Sequence, residues 1–151
     1  TTLFPVLGVV EVDERSFVAA DVPGIIAGAH AGAGLGLRFL RHVERTRVLL
    51  LVVDASGQRD PVEDLRTLRA EAAAWDPALL DRPQLVAATK RDALSGLDPL
   101  PSLERECAQL GLAVQPLSAV TGEGLLSLRR ALLRHVEAGR ADARAGQEAG
   151  A

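Results

Sequence analysis

The chain has 151 residues, a formal net charge of −3 at pH 7 and 48% hydrophobic residues. That suffices for one soluble domain around one core, and it argues against a general electrostatic attraction to DNA, RNA or an anionic membrane. The longest wholly apolar run, VLLLVV at 48–53, is too short to span a bilayer. The start, TTLFPVLGVV, lacks the basic region and cleavage pattern of a signal peptide. Cys107 is the only cysteine, so no intrachain disulfide can form, and its surroundings, ERECAQLG, suit a small core residue. A cytoplasmic protein is the expectation.

In chain order, VLGVVEV (6–12) and SFVAADV (16–22) are β-rich runs separated by DER, which reads as an antiparallel hairpin. Residues 23–36, PGIIAGAHAGAGLG, are glycine-rich and expected to be mobile. LRFLRHVERT (37–46) has the spacing of a short helix. VLLLVVDA (48–55) is continuously apolar, as in a parallel strand covered on both faces. A helix is expected to begin at Asp60, with Pro61 in its first turn and Glu63 at capping-box spacing, and to run to about Trp75. QLVAATK (84–90) reads as a strand, LERECAQL (103–110) as a helix stopped by Gly111, and AVQPLSA (113–119) as the last strand. GLLSLRRALLRHVEAG (124–139) reads as an amphipathic helix ending at Gly139. Residues 140–151 lack an apolar stripe and are expected to be disordered.

Strands alternating with helices imply an α/β fold with a mostly parallel sheet, in which ligands gather at the carboxyl ends of the strands. Three loops there carry chemistry. In DVPG (21–24), a carboxylate ends a strand and a Pro-Gly bend follows. Asp21 can hold a hydrated Mg²⁺, and Gly24 leaves room for its N–H to approach a phosphate. Taken alone, a capped turn explains the same four letters. In TKRD (89–92), Asp92 can accept from the N1–H and the exocyclic amine of guanine, a pattern adenine does not present. Lys90 is the only lysine among 17 basic residues, and its stem suits the face of a base where arginine's planar fork would fit differently. In SAVTGEG (118–124), the backbone N–H groups of a tight turn can donate to the guanine O6.

With those residues in place, the chain resembles the Obg family of ribosome-assembly GTPases. The resemblance rests on TTLFPVLGVV, DVPGIIAGAHAGAGLGLRFLRHVERTRVLLLVVDASG and SAVTGEG, and spans about residues 1–137. It implies a P-loop NTPase-like G domain over residues 1–139. It also implies GTP and GDP as ligands, Mg²⁺ as cofactor, and the ribosome or ribosomal RNA of the large subunit as partner, without membrane or DNA. Under the resemblance, Thr2 coordinates Mg²⁺, Asp21 holds it through water, and Thr1, Leu3 and Phe4 lie near the nucleotide. Val22, Pro23 and Gly24 then belong to the GTP site, with Gly24 donating to the γ-phosphate; Thr89, Lys90, Arg91 and Asp92 match the N-K-x-D guanine motif, and Ser118, Ala119 and Val120 the S-A turn.

Three departures qualify the match. Thr89 stands where the family usually has asparagine. Ile25 follows Gly24 where Ras-like proteins carry a water-orienting glutamine, which implies slow intrinsic hydrolysis and no catalytic residue in this chain. No G-x-x-x-x-G-K-[ST] occurs anywhere, so the expectation is a G domain lacking its first strand, phosphate loop and first helix. In that fold the missing strand lies between the strands at 16–22 and 48–55, so their edges are expected to be unpaired or wrongly closed.

Two other classes compete. Gly32, Gly34 and Gly36 do not make the G-x-G-x-x-G of a dinucleotide-binding oxidoreductase. A degenerate G domain that only docks to a partner fits a gene that starts near Thr1. The arginines at 38, 41, 45 and 47 could meet RNA phosphates, though a solvated helix face explains them more simply. His30, His42 and His135 are too scattered for a metal site, and Asp54 reads as a cap for the ASG loop that follows it.

Overall fold

The computed structural model describes residues 6–22 and 43–150. Strands β1 (Val6–Val12) and β2 (Arg15–Asp21) form an antiparallel hairpin with Val12 opposite Arg15. Its two-residue turn places Asp13 and Glu14 at φ 48° and 66°, the positive pair that matches strand twist in a tight hairpin. Asp13 is secured by Arg130, whose guanidinium donates to both carboxylate oxygens at 2.9 and 3.1 Å.

The second sheet is parallel, in the order β3 (Leu49–Asp54), β4 (Gln84–Thr89), β5 (Ala113–Pro116). One face is covered by α1 (Pro61–Trp75) and α2 (Leu100–Leu110). There Leu51, Val53, Val86 and Ala88 pack with Leu65, Leu103 and Cys107. The opposite face carries α3 (Leu125–Ala149), which buries Leu128 against Ala87 and Leu117. One turn further on, Leu133 packs with Val12 and Phe17, so α3 joins the hairpin to the parallel sheet. This is the α/β fold expected of a partial P-loop NTPase. Among the described residues β2 and β3 do not pair with each other and belong to separate sheets, as expected if a strand between them is lacking.

Local chemistry explains most boundaries. Asp60 caps α1 by accepting from the Val62 amide at 3.0 Å, with Pro61 following it. Glu63 does not complete a capping box; it is turned toward Arg66. Helix α2 begins at Leu100, earlier than expected, because the Asp98 carboxylate accepts from the Leu100 amide at 2.9 Å. It stops at Gly111, which takes φ 70°. Cys107 is buried, as its neighbours implied. The expectation for residues 23–36 lies outside the described residues, as does most of that for 37–46; Val43 and Glu44 are helical.

Two expectations at the carboxyl end are corrected. Helix α3 passes through Gly139, and the stretch expected to be disordered from 140 is helical to Ala149. Gly139 serves close packing rather than a helix stop, since a Cβ there would lie 3.1 Å from the Arg47 Cδ. Beyond it, RADARAGQEA is exposed but rich in strong helix formers, which extend a helix already nucleated by packing.

Candidate functional site

The carboxyl ends of β3, β4 and β5 point to one rim, where three loops are tied together. Between β3 and β4, the Ala55 amide donates to the Thr89 carbonyl at 3.0 Å. Between β4 and β5, the Leu117 amide donates to the Ala88 carbonyl at 2.8 Å and the Arg91 amide to the Leu117 carbonyl at 3.3 Å. The register therefore fixes the TKRD loop between the loop after β3 and the SAV turn.

Within that frame the Ser118 hydroxyl donates to Asp92 Oδ1 at 2.7 Å. Ser118 is buried, while Asp92 is exposed. The Ser118 Oγ also accepts from the Thr121 amide at 3.1 Å, and the Ser118 amide donates to the Glu123 carbonyl at 2.9 Å. The turn is thus closed on itself, and Ala119 and Val120 stand exposed at its tip.

Each TKRD side chain has a separate partner. The Thr89 hydroxyl donates to the Val53 carbonyl at 3.0 Å, so it tethers β4 to β3. Arg91 turns inward, donating to both oxygens of Asp98 at 2.8 Å and to the Ala55 carbonyl at 3.0 Å. Its side chain is a clamp within the protein. Lys90 sits in the left-handed region at φ 61° and reaches Asp54 Oδ2 at 3.0 Å. The other Asp54 oxygen accepts from the Ser56 amide at 2.9 Å. The Ser56 hydroxyl and amide, then the Lys90 ammonium, hold the Asp54 carboxyl down to about 2.

Asp54 was read from sequence as a cap for the loop after β3, and it is one. Its second role, pairing with Lys90, had no signal in spacing, because 36 residues separate the partners. Asp98 was missed for a related reason: one acid in a loop rich in leucine and proline gives no hint that it holds Arg91.

The DVPG loop is seen only in its first two residues. Asp21 ends β2, exposed and with no side-chain partner among the described residues. Val22 is half-buried and packs toward Val43, Ala72 and Leu79. Thr1, Thr2, Leu3, Phe4, Pro23 and Gly24 lie outside the described residues. No group of three or more histidines, cysteines or acids capable of holding a metal exists among the described residues. A lone free carboxylate still fits Mg²⁺, which keeps most of its waters and takes one or two protein ligands beside phosphate oxygens. No helix of the described residues is long and apolar enough to cross a membrane.

The three-strand parallel sheet, with motif loops at its carboxyl rim, is that of a partial G domain of the P-loop NTPase class. A family model described as 50S ribosome-binding GTPase matches residues 1–90, and the chain belongs to that family, as an Obg-type member. It is 52% identical over 130 residues to the GTPase Obg of Caldanaerobacter subterraneus subsp. tengcongensis, an alignment covering 85% of this chain and 31% of that protein. To the GTPase Obg of Desulforudis audaxviator it is 59% identical over 128 residues, covering 83% and 30%. To that of a Thermoanaerobacter species it is 49% identical over 127 residues, covering 83% and 30%. The chain therefore spans under a third of the length of these relatives.

Proposed function

We propose that this chain is the guanine-reading part of the G domain of a cytoplasmic Obg-type GTPase that acts in assembly of the large ribosomal subunit. The observation that carries the reading is the Asp92–Ser118 hydrogen bond, which joins two loops that are 26 residues apart in sequence. Asp92 accepts from the N1–H and exocyclic amine of the base. The Ser118 amide is already donated to Glu123, so the guanine O6 falls to the Ala119 amide, which donates to nothing among the described residues. Adenine offers an acceptor at N1 and an amine at C6, which would leave the Asp92 carboxylate and the Ala119 amide unsatisfied.

Toward the phosphates, Asp21 would hold Mg²⁺ through water, and Thr2 would hold it directly. When bound, the ion draws charge from the β- and γ-phosphate oxygens. Thr1, Leu3, Phe4, Val22, Pro23 and Gly24 would line the phosphate side. The phosphate loop would come from a segment preceding Thr1, a reading supported by the absence of G-x-x-x-x-G-K-[ST] and by the greater length of the relatives. Ile25 cannot orient a water, so hydrolysis would be slow until another group or partner assists.

Fluorescent-GDP titration tests this. The full-length gene product is expected to bind GDP in preference to ADP, and the 151-residue chain alone to bind it weakly or not at all. A full-length product that binds neither nucleotide would leave a docking module as the better account, and tight GTP binding by the chain alone would refute the missing phosphate loop.

A further inference from the structure

Lys90 has an arrangement that guanine recognition alone does not require. Its side chain is 63% exposed, yet its ammonium rests on a carboxylate only 15% exposed. That carboxylate cannot swing freely, because its other oxygen accepts from the Ser56 amide two residues along. The Ser56 loop is itself fixed from the far side. The Ser56 carbonyl accepts from the Ser95 amide at 2.9 Å, and Gly57 passes so close to Ser95 that a Cβ there would lie 2.3 Å from its carbonyl oxygen. The carboxylate is therefore a fixed point, and the only lysine of the chain is stretched between its own left-handed backbone and that point.

We propose that Asp54 is a positioning residue for guanine-nucleotide binding, acting through the Lys90 ammonium. This rests on the reading of TKRD as a guanine loop. A free lysine side chain samples many rotamers, and ordering it on nucleotide binding lowers affinity. Anchored at both ends, the stem is ordered before the base arrives and presents one apolar edge beside Asp92. The ion pair does not need to contribute much stability to do this; it needs only to select one path for the stem.

The test uses the full-length gene product and GDP. Asp54→Asn keeps an oxygen for the Ser56 amide, so the loop stays capped while the ammonium loses its charged partner. GDP affinity is expected to fall about fivefold, the order expected for a partly buried ion pair. Lys90→Met keeps an apolar stem but has no ammonium. Adding Asp54→Asn to Lys90→Met is expected to change GDP affinity no further. Unaltered affinity in Asp54→Asn, or an equal loss in both backgrounds, would overturn the proposal, the latter by showing that Asp54 acts through the loop instead. Failure of the guanine reading itself would appear separately, as no GDP binding by the unsubstituted protein.

Discussion

Ser118 and Asp92 meet through a 2.7 Å hydrogen bond in which a buried hydroxyl donates to an exposed carboxylate. A carboxylate oxygen has two lone-pair sites, so this bond orients Asp92 without consuming its capacity to accept from a base. The same hydroxyl accepts from the Thr121 amide. One small side chain thus fixes both the SAV turn and the acid proposed to read guanine.

Ser118→Ala is expected to cost about 2 kcal/mol, because a charged acceptor and a backbone amide both lose their partner. For a chain of this size that corresponds to a fall in melting temperature of about 4–8 °C. Differential scanning calorimetry would check it. An unchanged melting temperature would mean that water replaces the hydroxyl at no cost.

Asp92→Asn separates stability from base choice. The asparagine carbonyl can still accept from Ser118, so the melting temperature is expected to stay nearly constant. Its amide N–H₂ faces the exocyclic amine of guanine, donor against donor, but it can donate to the carbonyl that xanthine carries there. In the full-length gene product GDP affinity is expected to drop about a hundredfold or more while xanthosine diphosphate gains. Competition binding with the two nucleotides gives the answer directly.

Gly122 and Gly124 offer a matched comparison in the same loop. Both have positive φ, 83° and 78°. A Cβ at Gly122 meets nothing within 4 Å, whereas one at Gly124 would lie 2.2 Å from the Pro116 carbonyl oxygen. Gly122→Ala is expected to cost about 1 kcal/mol, the left-handed backbone penalty alone. Gly124→Ala adds displacement of the backbone that ends β5, for a total of about 3 kcal/mol. Urea unfolding of the two variants would show the difference.

Much of this fold was legible because local chemistry wrote it. Asp60 and Pro61 marked the start of α1, Gly111 the end of α2, and the unbroken apolar run at 48–53 a strand, though not one covered on both faces: Leu51 and Val53 are buried, whereas Val52 on the opposite face is exposed. Gly139 misled because a glycine that stops a helix and one that admits a neighbour's side chain look alike until Arg47 is seen across it. The rim was legible as motifs, but not as a network. Asp54–Lys90 and Thr89–Val53 each join positions 36 residues apart, and only parallel pairing of β3 with β4 brings them together. The contact between Asp98 and Arg91 is closer in sequence, but nothing in the spacing distinguishes it from two solvated charges.

Acid should weaken the rim in a defined window. The Arg91 guanidinium, then the Leu100 amide, hold the Asp98 carboxyl down to about 2, and Asp54 lies similarly low. In the unfolded chain these acids bind protons more readily, so their contribution is fully present above the ordinary carboxylate range and is lost as pH falls toward 2. Asp98→Asn has no such proton to bind. Its urea midpoint is expected to lie below that of the unsubstituted chain at pH 5, to fall less between pH 4 and pH 2, and to converge with it at the acid end.

The hairpin depends on a small contact set, and this gives the last prediction. Val12 and Phe17 are buried against Leu133, while Leu7, Val9 and Val18 on the opposite face of the hairpin are exposed. Outside that cluster, ion pairs from Arg15 to Glu137 and from Arg130 to Asp13 tie the hairpin to α3, and both are solvent-exposed. Exposed pairs contribute little, about 0–1 kcal/mol each, whereas truncating a buried phenylalanine costs about 3–5 kcal/mol. Phe17→Ala therefore removes most of what holds β1 and β2 in place. A two-stranded hairpin is marginal by itself, so it is expected to open locally while the parallel sheet persists. Hydrogen exchange would read this as rapid labelling of amides in 6–21 with little change in β3, β4 and β5. Loss of protection across both sheets together would mean that hairpin and sheet unfold as one unit.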